Sequence, residues 1–119
     1  MVRTTTVLTT VLFAFLMAAS VGTARAESQT FVIANGTSEY VAVEFYSQDR
    51  DIGWPGGDEY EVDPNSTAEF NLICESGELI CMGAWDLNDR SWGVGLNNQL
   101  SCEHCCSYCA GGTVEMPID

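Results

Sequence analysis

Thr67-Ala68-Glu69-Phe70-Asn71-Leu72-Ile73-Cys74, then Glu75-Ser76-Gly77-Glu78, then Leu79-Ile80-Cys81-Met82-Gly83-Ala84-Trp85, reads as strand, turn and strand. In the first segment Ala68, Phe70, Leu72 and Cys74 fall at every second position, so an extended chain carries all four on one face. In the last, Leu79, Cys81 and Trp85 share a side. Four polar or glycine residues between the two runs supply the turn. A hairpin with one apolar face has to bury that face against a second layer.

The same period-two pattern extends outward in both directions. Phe31 and Ile33 share a face, and after an Asn35-Gly36 turn Val41, Val43 and Phe45 point one way while Tyr40, Glu44 and Tyr46 point the other. Residues 47–64 read as loop, punctuated by Gly53, Pro55, Gly56 and Gly57, with a short strand over 59–62. Trp92, Val94 and Leu96 form another half-buried strand, and Val114, Met116 and Ile118 a last one. This spacing predicts an all-β fold, a small β-sandwich of six or seven antiparallel strands.

One segment breaks the pattern. In Ser101-Cys102-Glu103-His104-Cys105-Cys106-Ser107-Tyr108-Cys109-Ala110-Gly111, Ser101 suits a helix N-cap, Glu103 the first turn and Gly111 the left-handed stop. These signals predict one short cysteine-rich helix near the C-terminus, with Cys102, Cys106 and Cys109 on one face, docked on the hairpin that carries Cys74 and Cys81.

The opposite end reads as an export signal. Arg3 precedes an apolar run over 7–19, and Ala24-Arg25-Ala26 has the small-residue pattern that a signal peptidase cuts. The run is shorter than the roughly 20 apolar residues that a membrane span needs. Residues 1–26 are therefore read as a cleaved signal peptide and 27–119 as one disulfide-stabilised β domain, secreted or periplasmic, with no membrane span after cleavage. The remaining 93 residues hold two arginines, no lysine and all 17 acids, a net charge of −15. Such a charge excludes nucleic acid and anionic membrane as partners, because neither offers an opposite field. An unknown protein or a small ligand remains.

Six cysteines follow the export signal: Cys74, Cys81, Cys102, Cys105, Cys106 and Cys109. An even number in an oxidising compartment reads as a disulfide framework. Cys105 and Cys106 are adjacent and are not expected to bridge each other. Spacing leaves open whether Cys74 and Cys81 cross-link their own hairpin or each reach into the C-terminal segment.

The same residues have the makings of other chemistries. Cys102, His104 and Cys105 have zinc-ligand spacing, but the two C-x2-C pairs run into one another with no chain left to wrap an ion. Cys102-Glu103-His104-Cys105 also has the form of a thiol-exchange motif, without the α/β surround that such a motif opens. Asp49, Asp51 and Asp58 offer oxygens for calcium, yet Gly53 and Tyr60 stand where an EF-hand loop needs ligands. His104 is the only histidine, and no catalytic constellation gathers around it. No cofactor is expected and the chain does not read as an enzyme. Tyr46, Trp54 and Trp92, beside or within glycine-rich loops, form the candidate binding surface. A core position is equally open to Trp54 and is favoured for Trp85 and Trp92.

Phe45-Tyr46-Ser47, Trp54-Pro55-Gly56, Cys74-x3-Glu78-x2-Cys81, Trp92-Gly93-Val94-Gly95 and Cys102-x2-Cys105-Cys106-x2-Cys109 together resemble a small exported bacterial cysteine-rich β-domain. Domains of that kind occur as stand-alone secreted proteins and as tails on caspase-like peptidases. The resemblance implies an accessory or binding module, with no assigned activity and no catalytic residue to carry over.

Overall fold

The computed structural model describes residues 26–94 and 104–119. The expected signal peptide up to residue 25 lies outside them, as do Ser101, Cys102 and Glu103. Ala26, the last residue of the expected leader, opens the first strand.

The strands are β1 (Ala26–Asn35), β2 (Val41–Ser47), β3 (Gly53–Trp54), β4 (Tyr60–Val62), β5 (Ser66–Glu75), β6 (Leu79–Trp85), β7 (Ser91–Gly93), β8 (Cys106–Tyr108) and β9 (Thr113–Ile118). One sheet has the order β5-β1-β9; the larger one runs β3-β2-β6-β7, with β4 also on β2 and β8 also on β6. The alternating residues meet between them. Phe31, Ile33, Leu72, Cys74, Met116 and Ile118 come from the first sheet and Val41, Val43, Phe45, Ile80, Met82 and Ala84 from the second, all in one buried cluster. Phe31 and Phe45, with ring centroids 4.8 Å apart, join the layers at the centre.

The all-β sandwich is as the sequence predicts, but the described residues form nine strands rather than six or seven, and one pairing is parallel. Two of the additional strands, β3 and β8, have two and three residues, too few to show a period. β9 lies parallel to β1, from Thr30↔Thr113 to Asn35↔Ile118. Parallel neighbours need a long crossover, and here the whole larger sheet intervenes between the two strands in the chain.

The predicted helix is absent from the described residues. His104 has a left-handed φ of 63°, and residues 106–108 are extended along β6 in the register Leu79↔Tyr108, Ile80↔Ser107, Cys81↔Cys106. Two effects outweigh the local helix signals. β6 has an unpaired side whose backbone groups need partners, and Met82 N donates to Cys105 O at 2.8 Å while Cys109 N donates to Glu78 O at 2.8 Å. The bridges are the second. Cys106 bonds Cys81 on the adjacent strand, and Cys109, three residues on, bonds Cys74 in the core. An odd spacing in an extended chain sends two side chains to opposite faces; a helix would have put both on one. Cys105 is also disulfide-bonded.

β6 is buried on both sides, which a half-buried hairpin does not anticipate. Cys81, Val94 and Cys105 form a second small cluster on its outer side. The chain after β7 crosses close to β6 there: Val94 N donates to Met82 O at 2.8 Å. A Cβ on Gly83 would strike the Val94 carbonyl, and one on Gly93, which has φ 73°, would strike that of Met82. Only glycine fits at either point.

The end of β1 is fixed by a buried side chain. Asn35, 2% exposed, donates from Nδ2 to the carbonyls of Glu39 (2.8 Å), Val62 (3.2 Å) and Asp63 (3.1 Å), while Oδ1 accepts from Thr37 N and Oγ1. One amide thus joins β1, the approach to β2 and the β4–β5 turn. Asn35→Ala leaves several buried groups without partners, so a loss of about 2 kcal/mol is expected in urea denaturation. An unchanged midpoint would contradict this role.

Candidate functional site

The loop 48–59 between β2 and β4 is held by one buried carboxylate. Glu78, in the β5–β6 turn, has a side chain 1% exposed and takes Arg50 through two bonds, Nε–Oε2 at 2.5 Å and Nη2–Oε1 at 2.7 Å. Ser47 Oγ donates to Oε2 at 2.5 Å and Glu75 N to Oε1 at 3.0 Å. Ser47 Oγ in turn accepts from the backbone N–H of Arg50 at 2.9 Å, and Asp49 Oδ2 accepts from Leu79 N at 2.8 Å. The Arg50 guanidinium first, then the Ser47 and Glu75 donors, outweigh burial and lower the Glu78 pKa to about 2. Sequence reading missed this centre. Its one signal was a lone arginine in an acidic loop, which must pair somewhere but does not say with which acid.

The pinned loop brings β3 onto β2, with Phe45↔Trp54 and Tyr46↔Gly53 in register. Trp54 packs partly buried against the core, and its Nε1 donates to Ile73 O on β5 at 3.1 Å. Tyr46 and Trp54 thereby line one concavity of about 300 Å³ together with Glu44, Ser47 and Arg50. The Tyr46 hydroxyl is buried there, close to the Glu44 carboxylate. Burial first, then the nearby Glu44 carboxylate, push its pKa well above the ordinary phenol range.

A second concavity, of about 420 Å³, adjoins it on the outer face of the larger sheet. Its floor is Ala42, whose register partners are Glu61 on β4 and Trp85 on β6. Tyr40, Asp58, Glu59 and Leu87 complete the rim. Trp85, favoured above as core, is half-buried and belongs to this outer wall, because Ala84 takes the inward position. Tyr40, just before β2, and the outward residues Ala42, Glu44 and Tyr46 along it run from one concavity to the other.

Trp92 is not among the residues lining either concavity. It is partly buried against the core, donates from Nε1 to Asp119 O at 3.1 Å, and lies under the Arg90 guanidinium at 5.5 Å. The structure thus joins Tyr46 with Trp54 and leaves Trp92 apart.

Among the described residues no group of three or more His, Cys, Asp or Glu side chains could hold a metal ion. Of the calcium candidates, Asp49 is bonded to the Leu79 amide, Asp51 lines the first concavity and Asp58 the second. Of the zinc candidates, Cys105 is disulfide-bonded, His104 is exposed, and Cys102 lies outside the described residues. No helix among the described residues is long and apolar enough to cross a membrane. Disulfides persist where the surroundings are oxidising, so the two bridges point to an extracytoplasmic environment. Comparison with protein families, characterised proteins and solved structures gave no match.

Proposed function

We propose that the chain is an exported, non-catalytic binding module, working in the periplasm or outside the cell, which engages a basic partner through the outer face of its larger sheet. The observation that carries this reading is where the charges sit. Both arginines of the described residues are committed to structural ion pairs, Arg50 with Glu78 and Glu75, Arg90 with Asp86. Glu44, Asp51, Asp58, Glu59 and Glu61 all line the two outer concavities, and none has an ion pair among the described residues. Like charges collected on one sheet face repel one another, and a cationic partner relieves that repulsion. Aromatic side chains beside the acids add contact area. The resemblance to exported domains and peptidase tails agrees with an accessory role.

Net charge alone would attract any polycation, so the test compares faces at equal charge. The probe is poly-L-arginine, titrated calorimetrically at low and high salt. The D58N/E59Q/E61Q variant is expected to bind at least tenfold more weakly than D63N/E69Q/E115Q, whose substitutions lie elsewhere. Equal weakening of the two variants would remove the outer face as the binding surface.

A further inference from the structure

We infer that the notch over Ala42 is a receptor for a single arginine side chain presented by an extended segment of a protein partner; this rests on the reading of the outer face as a surface for a basic partner. The argument begins with the smallest residue in the row. Ala42 stands between Glu61 and Trp85 across the sheet, and along the chain between Tyr40, just before β2, and Glu44. A methyl group among four long side chains leaves a depression with an aromatic wall on one side and a carboxylate on the other.

Each wall has a chemistry that remains unused. Tyr40 is 54% exposed although it is a large aromatic, and Leu87 beside it is 95% exposed. Asp58, Glu59 and Glu61 are exposed at the rim. Asp86 also borders the notch, but its carboxylate is occupied: Oδ1 accepts from Asn88 N and Arg90 N, and Oδ2 from Arg90 Nε at 2.7 Å. The remaining groups are therefore two aromatic rings and three carboxylates, of which only Asp58 has a bond, its Oδ1 accepting from Glu59 N at 2.9 Å; the donors among them are the Tyr40 hydroxyl and the Trp85 indole N–H.

That set matches a guanidinium better than an ammonium. A guanidinium is flat, so it can lie against an indole or phenol face while its edge N–H groups reach carboxylates in pairs. An ammonium is a strongly hydrated point charge and does not use the flat wall in this way. The occupant is a peptide rather than free arginine because the receptive row continues. From Tyr40, at the entry to β2, to Tyr46 the outward row extends about 20 Å at the usual rise per residue, several times the length that one amino acid can cover.

The test uses the mature protein and the peptide Ac-Gly-Arg-Gly-NH2, followed by NMR through the Trp85 indole and the amides of Ala42 and Glu61. Binding is expected to move these signals, and to be at least fivefold tighter than for Ac-Gly-Lys-Gly-NH2 and for free L-arginine. A42V, which fills the floor with a residue suited to a strand, is expected to abolish the arginine preference and leave poly-L-arginine binding largely in place. W85L should act in the same direction. Unchanged peptide affinity in A42V would overturn the notch, and equal affinity for free L-arginine would overturn the peptide partner. Loss of poly-L-arginine binding by the wild-type protein would instead strike the broader reading.

Discussion

Alanine at both Cys74 and Cys109 is expected to cost about 3 kcal/mol, and removal of Cys81–Cys106 as well to bring the total to about 6 kcal/mol. The two bridges close chain segments of 35 and 25 residues, one nested inside the other. Once Cys81–Cys106 is in place, the ring that Cys74–Cys109 closes runs only from 74 to 81 and from 106 to 109. Each bridge therefore adds less in the presence of its partner than it would alone, because loop entropy grows with the logarithm of loop length. The Cys74–Cys109 pair adds a packing term, since both residues are almost wholly inside the core. A domain of this size has a total stability of about 5–10 kcal/mol, so full reduction should unfold it. Denaturation in urea of the single-bridge and double-bridge variants checks the arithmetic. A reduced protein that keeps its melting temperature would show that the core alone suffices.

The parts of this fold that were legible in the sequence are those where one face of a strand meets the core and the other meets water. Ala68, Phe70, Leu72 and Cys74 on β5, and Val41, Val43 and Phe45 on β2, were placed inward by alternation alone, and the structure keeps them there. Reading failed where a second layer lies over the sheet. β6 has an apolar cluster on each side, so alternation along it carries no information, and Trp85, expected in the core, stands in the outer wall. The C-terminal segment failed for a different reason. Ser101 and Gly111 are sound helix punctuation, and cysteines at helical spacing look like a single face. What decides the matter is the open edge of β6 and the positions of Cys74 and Cys81 in space, which are tertiary facts. At the candidate site, Tyr46 and Trp54 were found because an aromatic next to a glycine-rich loop stands out. Tyr40 and Trp85 were not, since their pairing depends on which strands flank Ala42. Glu78 shows the same limit: one acid among 17 is chosen by the fold, and no local pattern marks it.

Glu78→Gln is expected to cost about 3 kcal/mol and to release the loop 48–59 from the β5–β6 turn. The amide keeps the shape of the carboxylate, yet Arg50 then loses its two short charge-assisted bonds and keeps only the longer, half-exposed contact with Glu75 at 3.5 Å. Replacing Arg50 and Glu78 together by methionine should cost less than E78Q alone, because no uncompensated charge is left behind. The same pair sets an acid dependence. The Glu78 carboxyl binds its proton less tightly in the folded chain, with a pKa lowered from 4.5 to about 2, than in the unfolded one. Its contribution is thus complete above about pH 5, declines as the pH falls through 4.5, and is gone below about pH 2. The shift would correspond to about 3 kcal/mol at full value; because Arg50 is a third exposed, solvent screening trims the expected pH-linked part to about 2 kcal/mol. Urea midpoints measured between pH 7 and pH 2.5 should fall more steeply for the wild-type protein than for E78Q. Parallel curves would mean that other carboxylates govern the acid sensitivity and that the Arg50–Glu78 pair adds nothing to it. In the folded chain the Glu78 carboxyl takes its proton only near pH 2, so the Tyr46–Trp54 concavity should keep its shape down to about that pH and lose it there, seen as a change in tryptophan fluorescence, since Trp54 is held on β2 by the loop that Glu78 anchors.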